Sequence, residues 1–332
     1  MDFLQYTAGH DDDGRRLDRV IRIVLKDLPM TEIYKYIRKG LVRVNGKKSE
    51  CSYRIQKDDL IKIPNLSKCP TNTEVQHLSG FQEIKPVFRN PYVLIVNKPY
   101  GMSVHGGGSA GTFNLEQLVK EQFKTENSSI SFRSGPLHRI DRHTTGLVVF
   151  SQNSEGANIF SDMLQNHLVK KEYLAVLCGH LPMQETWIDI ITDAPCKTAL
   201  KAHGYHTMSI INSTLSETVH SCIGKKAITT ANPIAYGNYE GIPITLALVE
   251  IQTGRKHQIR CQCAQHGYPL LGDTAYNGKN PQSIGGHFFL HSWRMSFPSD
   301  NKIELPNTIT APLPEKFRFF IRNHLSQFEL SI

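Results

Sequence analysis

The stretch "HRIDRHTTGLVVFS", His138 to Ser151, packs one carboxylate, two guanidiniums and two imidazoles into its first six residues and then turns apolar. "GLVVFS" reads as a buried strand. Asp141 stands between Arg139 and Arg142 at the mouth of that strand. Neighbouring positive charge favours the ionised form of a carboxylate. A carboxylate at the edge of a desolvated strand can serve as nucleophile or base. It can equally be half of a structural ion pair, which by spacing alone is the commoner case.

Outward from this stretch the chain is rich in strands. "PYVLIVNKP" reads as a buried strand running into a loop, and "KKEYLAVLCG" as another strand. "AITTANPIAY" and "ITLALVEIQ" read as an antiparallel pair joined by a turn at "GNYEGIP". Three helices are expected. "NLEQLVKEQF" is one, and "SEGANIFSDMLQNHLV" is a second, with Ser154 as N-cap and Ala157, Phe160, Leu164 and Leu168 on one face. "KHQIRCQCAQHG" is a short third, stopped by Gly267. The order is not a regular βαβα alternation. An α+β fold follows, with a central mixed, mainly antiparallel sheet and peripheral helices. Residues 202–221 are polar without period and read as an insertion.

The N-terminal part differs in charge. The chain carries a net charge of +8. From Arg15 to Lys48 there are eleven Lys and Arg against three Asp and Glu, a surplus as large as that of the whole chain. Such concentration is the footprint of a polyanion partner rather than of scattered solvated charge. In "RRLDRVIRIVLKDL" the apolar residues Leu17, Val20, Ile21, Val24 and Leu25 form a helical stripe that Pro29 breaks, with the arginines largely off it. "TEIYKYIRKG" predicts a second helix capped by Thr31 and stopped by Gly40. "LVRVNGKK" predicts a hairpin turning at Asn45 and Gly46, and "DDLIKIP" a closing strand. Residues 14–64 are therefore expected to be a small α+β RNA-binding domain. An arm (1–13) precedes it, a polar linker (65–86) follows it, and a large domain spans 87–325. The N-terminus lacks the pattern of a signal peptide, and no apolar run is long enough for a membrane helix. An odd count of seven cysteines does not suggest a disulfide framework. A cytoplasmic monomer with no membrane partner is the expectation.

Other candidate chemistry is set against its bland reading. Tyr173 in "KKEYLAVL" is either packed core or an aromatic plate for a base. Arg255 and Arg260 in "TGRKHQIR" can reach Asp141 across the sheet. His257, Cys261, Cys263 and His266 are near in sequence, but Cys-x-Cys is not a usual zinc spacing and no Cys-x-x-Cys accompanies it. "GMSVHGGGSAGTF" lacks the Gly-Lys-Ser/Thr ending of a phosphate loop, and no Gly-x-Ser-x-Gly elbow is present.

Taken in order, "VNKPYGMSVH", "HRIDRHTTGLVVFS", "KKEYLAVLCG" and "TGRKHQIRCQCAQHGYPLLGDTAYNG" closely resemble the RluA-type pseudouridine synthases. Residues 14–64 resemble the S4 RNA-binding domain that many of them carry. The resemblance implies the pseudouridine synthase fold and an isomerase without metal or other cofactor. Such an isomerase breaks the N1–C1′ bond of a uridine in RNA, turns the base and joins C5 to C1′. By resemblance Asp141 is the catalytic aspartate, Tyr173 stacks on the target base and Arg260 pairs with Asp141. Leu270 and Leu271 wall the base, and Arg139 binds RNA beside the extruded nucleotide. Lys98 and Arg255 are further substrate candidates. Arg15, Arg19, Arg38, Lys39 and Arg43 are candidate RNA contacts of the S4-like unit. Thr145 and Gln262 depart from the family's common Ser and His. The implied substrate is large-subunit (23S) ribosomal RNA, with transfer RNA as the alternative; a catalytically inactive RNA-binding protein of ribosome assembly is the remaining reading.

Overall fold

The apolar stripe near the N-terminus buries as a helix, and a small unit forms around it. The computed structural model describes residues 2–65, 83–106, 113–123, 129–192, 208–211 and 224–325. The chain begins with strand β1 (Phe3–Thr7), helices α1 (Leu17–Val24) and α2 (Met30–Arg38), and strands β2 (Arg43–Val44), β3 (Lys47–Lys48) and β4 (Leu60–Pro64). Leu17, Val20 and Ile21 pack with Ile33 and Ile37 over Val44, Ile61 and Ile63, all buried. Each such aliphatic side chain contributes about 1.5–3 kcal/mol on leaving water. Asn45 and Gly46 have φ of 51° and 76°, the left-handed pair that a tight hairpin between right-twisted strands requires.

Two expectations are corrected here. Residues 1–13 are not a separate arm, because Phe3–Thr7 pairs antiparallel with Leu60–Pro64 and makes the edge of the four-stranded sheet β1-β4-β2-β3. Thr31 is not a cap: α2 begins at Met30 behind Pro29. Proline is suited to that place because its missing N–H falls where no helical bond would form. Most of the linker, residues 66–82, lies outside the described residues.

The large unit runs β5 (Pro86–Arg89), β6 (Val93–Lys98), α3 (Leu115–Gln122), β7 (Thr145–Ser151), α4 (Ser154–Gln165), β8 (Lys170–Cys178), β9 (Glu185–Thr192), β10 (Ser209–Ile211), β11 (Lys225–Tyr239), β12 (Ile242–Ile251), α5 (Gln258–Gln265), β13 (Leu290–Ser296), β14 (Thr308–Thr310) and α6 (Glu315–His324). The strands form one ten-stranded sheet in the order β10-β9-β11-β12-β8-β13-β7-β6-β5, with β14 beside β13. Every pairing is antiparallel except β7 with β13. The sheet is therefore mixed and mainly antiparallel, as expected.

Both faces are covered, and the period of two on β8 shows how. Tyr173, Ala175 and Leu177 join one core with α3 and α5, while Leu174, Val176 and Cys178 join another under α6. Helix α4 is capped by Asn153, whose side chain accepts from Gly156 N, and not by Ser154. Its buried face is Gly156, Phe160 and Met163; Leu168 lies beyond the helix and is exposed. The expected insertion contributes β10, which pairs with β9 at the end of the sheet. Residues 202–207 and 212–221 lie outside the described residues.

The two units touch through a short polar seam. Asp12 accepts from Ser129 Oγ (3.0 Å) and from the N–H groups of Ile130 and Ser131 (both 2.9 Å). Ile130 itself is buried in the core of the small unit. Asp11 accepts from Ser154 N at 2.7 Å, and Arg15 donates to Ser154 Oγ at 2.9 Å.

Candidate active site

Asp141 sits in the turn that enters β7, closed by Thr144 N donating to its carbonyl at 3.1 Å. The turn is held from three sides. His138 Nε2 accepts from Val149 N at 3.1 Å, and burial pushes this imidazole down to about 3, so it is a neutral strut. Thr145 Oγ1 lies 2.7 Å from His291 Nδ1 of β13. Gly146, with φ of 110°, meets the main chain of Ser292 so closely that a Cβ would collide with it. Glycine is thus required where β7 approaches β13, and this approach sets the turn against the sheet.

The turn borders a cavity of about 350 Å3. Arg139, Ile140 and Asp141 line one side, Lys171 and Tyr173 of β8 the floor, and residues 254–260 the other side, with Ile251 and Leu290 as apolar wall. Tyr173 is buried, which pushes its phenol up to about 12 and leaves it uncharged at neutral pH.

Arg260, in the first turn of α5, faces Asp141 with one arm only. Its Nη1 is 3.9 Å from Asp141 Oδ2. Its Nε and Nη2 donate to the two oxygens of Asp273 at 2.7 and 2.8 Å, a bidentate pair. Its guanidinium carbon lies 4.9 Å from the Tyr276 ring and 4.7 Å from the Phe288 ring. The pairing with Asp141 is therefore the secondary contact, and Asp273 is the partner that holds the arginine. Asp273 closes "YPLLGD" directly after the two leucines, and nothing in its spacing from Arg260 signals the pair. His257 faces the other oxygen of Asp141, with Nε2 3.9 Å from Oδ1. Burial pushes His257 down to about 4, against the pull of Asp141.

Other candidates fall elsewhere. Leu270 and Leu271 do not line the cavity: both are buried, one in each core on opposite sides of the sheet. Ile140, Ile251, Ile259 and Leu290 take the apolar role. Lys98 is fully buried and unable to meet RNA; its ammonium donates to the carbonyls of Pro99, Met102 and Arg142 at 3.0, 2.7 and 2.9 Å. Burial pushes it down to about 7, with Asp141 opposing. It ties the Asp141 turn to the loop after β6.

Arg139 is exposed at the rim, 3.5 Å from His105 Nε2. Arg255 also lines the cavity, but its Nε donates to Lys226 O at 3.0 Å and not to Asp141. Arg19, Arg38, Lys39 and Arg43 are exposed on the small unit, whereas Arg15 serves the seam. His266 stacks on Trp187 and bonds Asp189 at 3.0 Å, while Cys261 Sγ lies 3.5 Å from Met208 O, so these side chains diverge. Among the described residues no group of three or more His, Cys, Asp or Glu is arranged to hold a metal, and no helix is long and apolar enough to cross a membrane.

Residues 92–265 match the family described as RNA pseudouridylate synthase, and residues 15–61 match the S4 domain. Ribosomal large subunit pseudouridine synthase C of Haemophilus ducreyi is 27% identical over 318 residues, covering 93% of this chain and 91% of the relative. An uncharacterized RNA pseudouridine synthase of Bacillus subtilis, YlyB, is 27% identical over 325 residues, covering 97% and 98%. The solved structure of human RNA Pseudouridylate Synthase Domain Containing 1 shares the fold, with a TM-score of 0.54 and 24% identity over 70% of this chain and 84% of that one.

Proposed function

The chain belongs to the RNA pseudouridylate synthase family, and from that premise we propose that it isomerises uridines of large-subunit ribosomal RNA, with Asp141 as the carboxylate that acts on the sugar. The observation that carries the assignment is Asp141 at the edge of the cavity, with Arg260 against one oxygen and Tyr173 on the floor. The substrate rests on the names of full-length relatives such as the Haemophilus ducreyi protein.

The geometry fits the reaction. A uridine must leave its stack to enter, at a cost of about a few kcal/mol. Stacking on an aromatic plate such as Tyr173 returns about 1–3 kcal/mol. The apolar wall keeps water from the broken glycosidic bond, and in that dry setting the facing charges of Arg260 and Asp141 act more strongly. C5 loses a proton when it joins C1′, and N1 takes one up. Arg139 and Arg255 at the rim and the cations of the S4 domain hold phosphates, which positions the RNA without reading its sequence.

Loss of the C5 proton supplies the test. RNA carrying tritium at uridine C5, taken from cells that lack the protein, should release tritium to water when wild-type protein is added. Its new pseudouridines should map to large-subunit ribosomal RNA. Asp141→Asn should be more than about 100-fold slower while binding the same RNA. Normal turnover by that variant would sink the role of Asp141; pseudouridines confined to transfer RNA would sink the substrate.

A further inference from the structure

The segment that carries β10 reaches the active-site pocket through a chain of hydrogen bonds. Met208, immediately before β10, donates its main-chain N–H to Tyr276 Oη at 2.8 Å. Tyr276 Oη lies 2.9 Å from His257 Nδ1, and His257 Nε2 faces Asp141 Oδ1 at 3.9 Å. A phenol that accepts from Met208 has its own proton free for Nδ1. With Nδ1 accepting, the ring proton of a neutral imidazole resides on Nε2, the atom turned to Asp141.

The supports of this chain are firm. His257 precedes α5 with a left-handed φ of 54°, and its ring meets the Tyr276 ring edge-on at 5.8 Å. Ile210 of β10 packs with Cys261 and Tyr276 around buried Ile191 and Ala227, so the strand is anchored against the helix that carries Arg260. Each oxygen of Asp141 thus faces its own nitrogen, and both nitrogens come from the start of one helix, at 3.9 Å each, beyond hydrogen-bond length. Catalytic contacts are often this long before substrate binds and shorten when it does.

We propose that His257 is a positioning residue for Asp141, its tautomer and direction set by the Tyr276 hydroxyl, which the main chain of Met208 just before β10 holds in place. The proposal rests on the function argued above. Partners of this indirect kind change activity by about 10–100-fold when lost.

Two measurements test it. In steady-state tritium release, His257→Ala should lower kcat by about 10–100-fold with KM little changed. Tyr276→Phe, which keeps the ring over Arg260, should lower kcat less, and the double variant should be no slower than His257→Ala. If Tyr276→Phe costs as much in the His257→Ala background as alone, or if the losses fall in KM, the chain of bonds is not the cause. His257→Gln serves in place of His257→Ala should the latter not fold. Imidazole 15N NMR of the full-length protein, which needs no RNA, should show a single Nε2–H tautomer for His257 in wild type and a mixture in Tyr276→Phe. An unchanged spectrum overturns the proposal. Absence of tritium release by the wild type would instead refute the function itself.

Discussion

Asp273 anchors the site more than Asp141 does. It holds Arg260 in a bidentate grip inside the core, with side chains 9% and 2% exposed. Removing one partner of a buried pair leaves an uncompensated charge, at a cost of about 3–5 kcal/mol. Asp273→Ala should therefore lower the melting temperature sharply and slow turnover. Asp141→Asn, whose nearest cation is 3.9 Å away, should melt close to wild type. Equal melting of the two variants would show that Arg260 is held by something else. Asp141, Tyr173 and Arg260 were legible as a set because each lies in a distinctive motif, and all three border one cavity. Lys98 and the two leucines were misplaced for one reason: a motif marks that a residue matters, not which way its side chain points. Burial turned Lys98 inward to carbonyls and put Leu270 and Leu271 into two cores.

At the scale of elements, the seam around Asp12 decides how the S4 domain meets the large sheet. Burial raises the cost of charge on Asp12, but hydrogen bonds from Ser131, Ile130 and Gly9 outweigh it and hold the carboxyl below its ordinary 3.8. A lowered carboxyl stabilises the fold above its unfolded value and loses that contribution as pH falls through the folded value. Hydrogen-exchange protection of Ile130 and Ser131 should accordingly weaken below about pH 4 in the wild type. Asp12→Asn should show weaker protection at neutral pH and little further loss on acidification. An acid response identical in both proteins would remove Asp12 from the seam. Nothing in "HDDDG" announces this role, because the partners of Asp12 across the seam lie more than a hundred residues away. The same holds for β1 and β10, short segments whose strand character comes from the neighbours they pair with.

For the whole molecule, most of the cations from Arg15 to Lys48 are exposed, Arg15 and Arg16 excepted, while the cavity lies in the other unit. Affinity and chemistry are thus separable. Replacing exposed Arg19, Arg38, Lys39 and Arg43 together by Ala should weaken RNA binding and lower the slope of log affinity against log salt by about 3. Melting temperature and the rate at saturating RNA should hardly change. Arg15 is excluded from that set because its guanidinium serves the seam. An unaltered salt slope would place the RNA on another face.

What the sequence determined by itself was the kind of molecule. Period-two and helical patterns are local, so the strands, the hairpin at Asn45 and Gly46 and the stripe of α1 were all readable from neighbouring residues. Motifs that bring chemistry, such as "HRID" and "GRKHQIR", were readable because their residue types are costly to bury without a purpose. Pairing across distance was settled by packing alone. Arg260 takes Asp273 as main partner, His257 faces Asp141 with Tyr276 and Met208 behind it, and Asp12 joins the two units. The physical reason is common to all of these. A buried polar group must find its partner wherever the packed chain brings one, and sequence spacing carries no record of which strand will lie alongside.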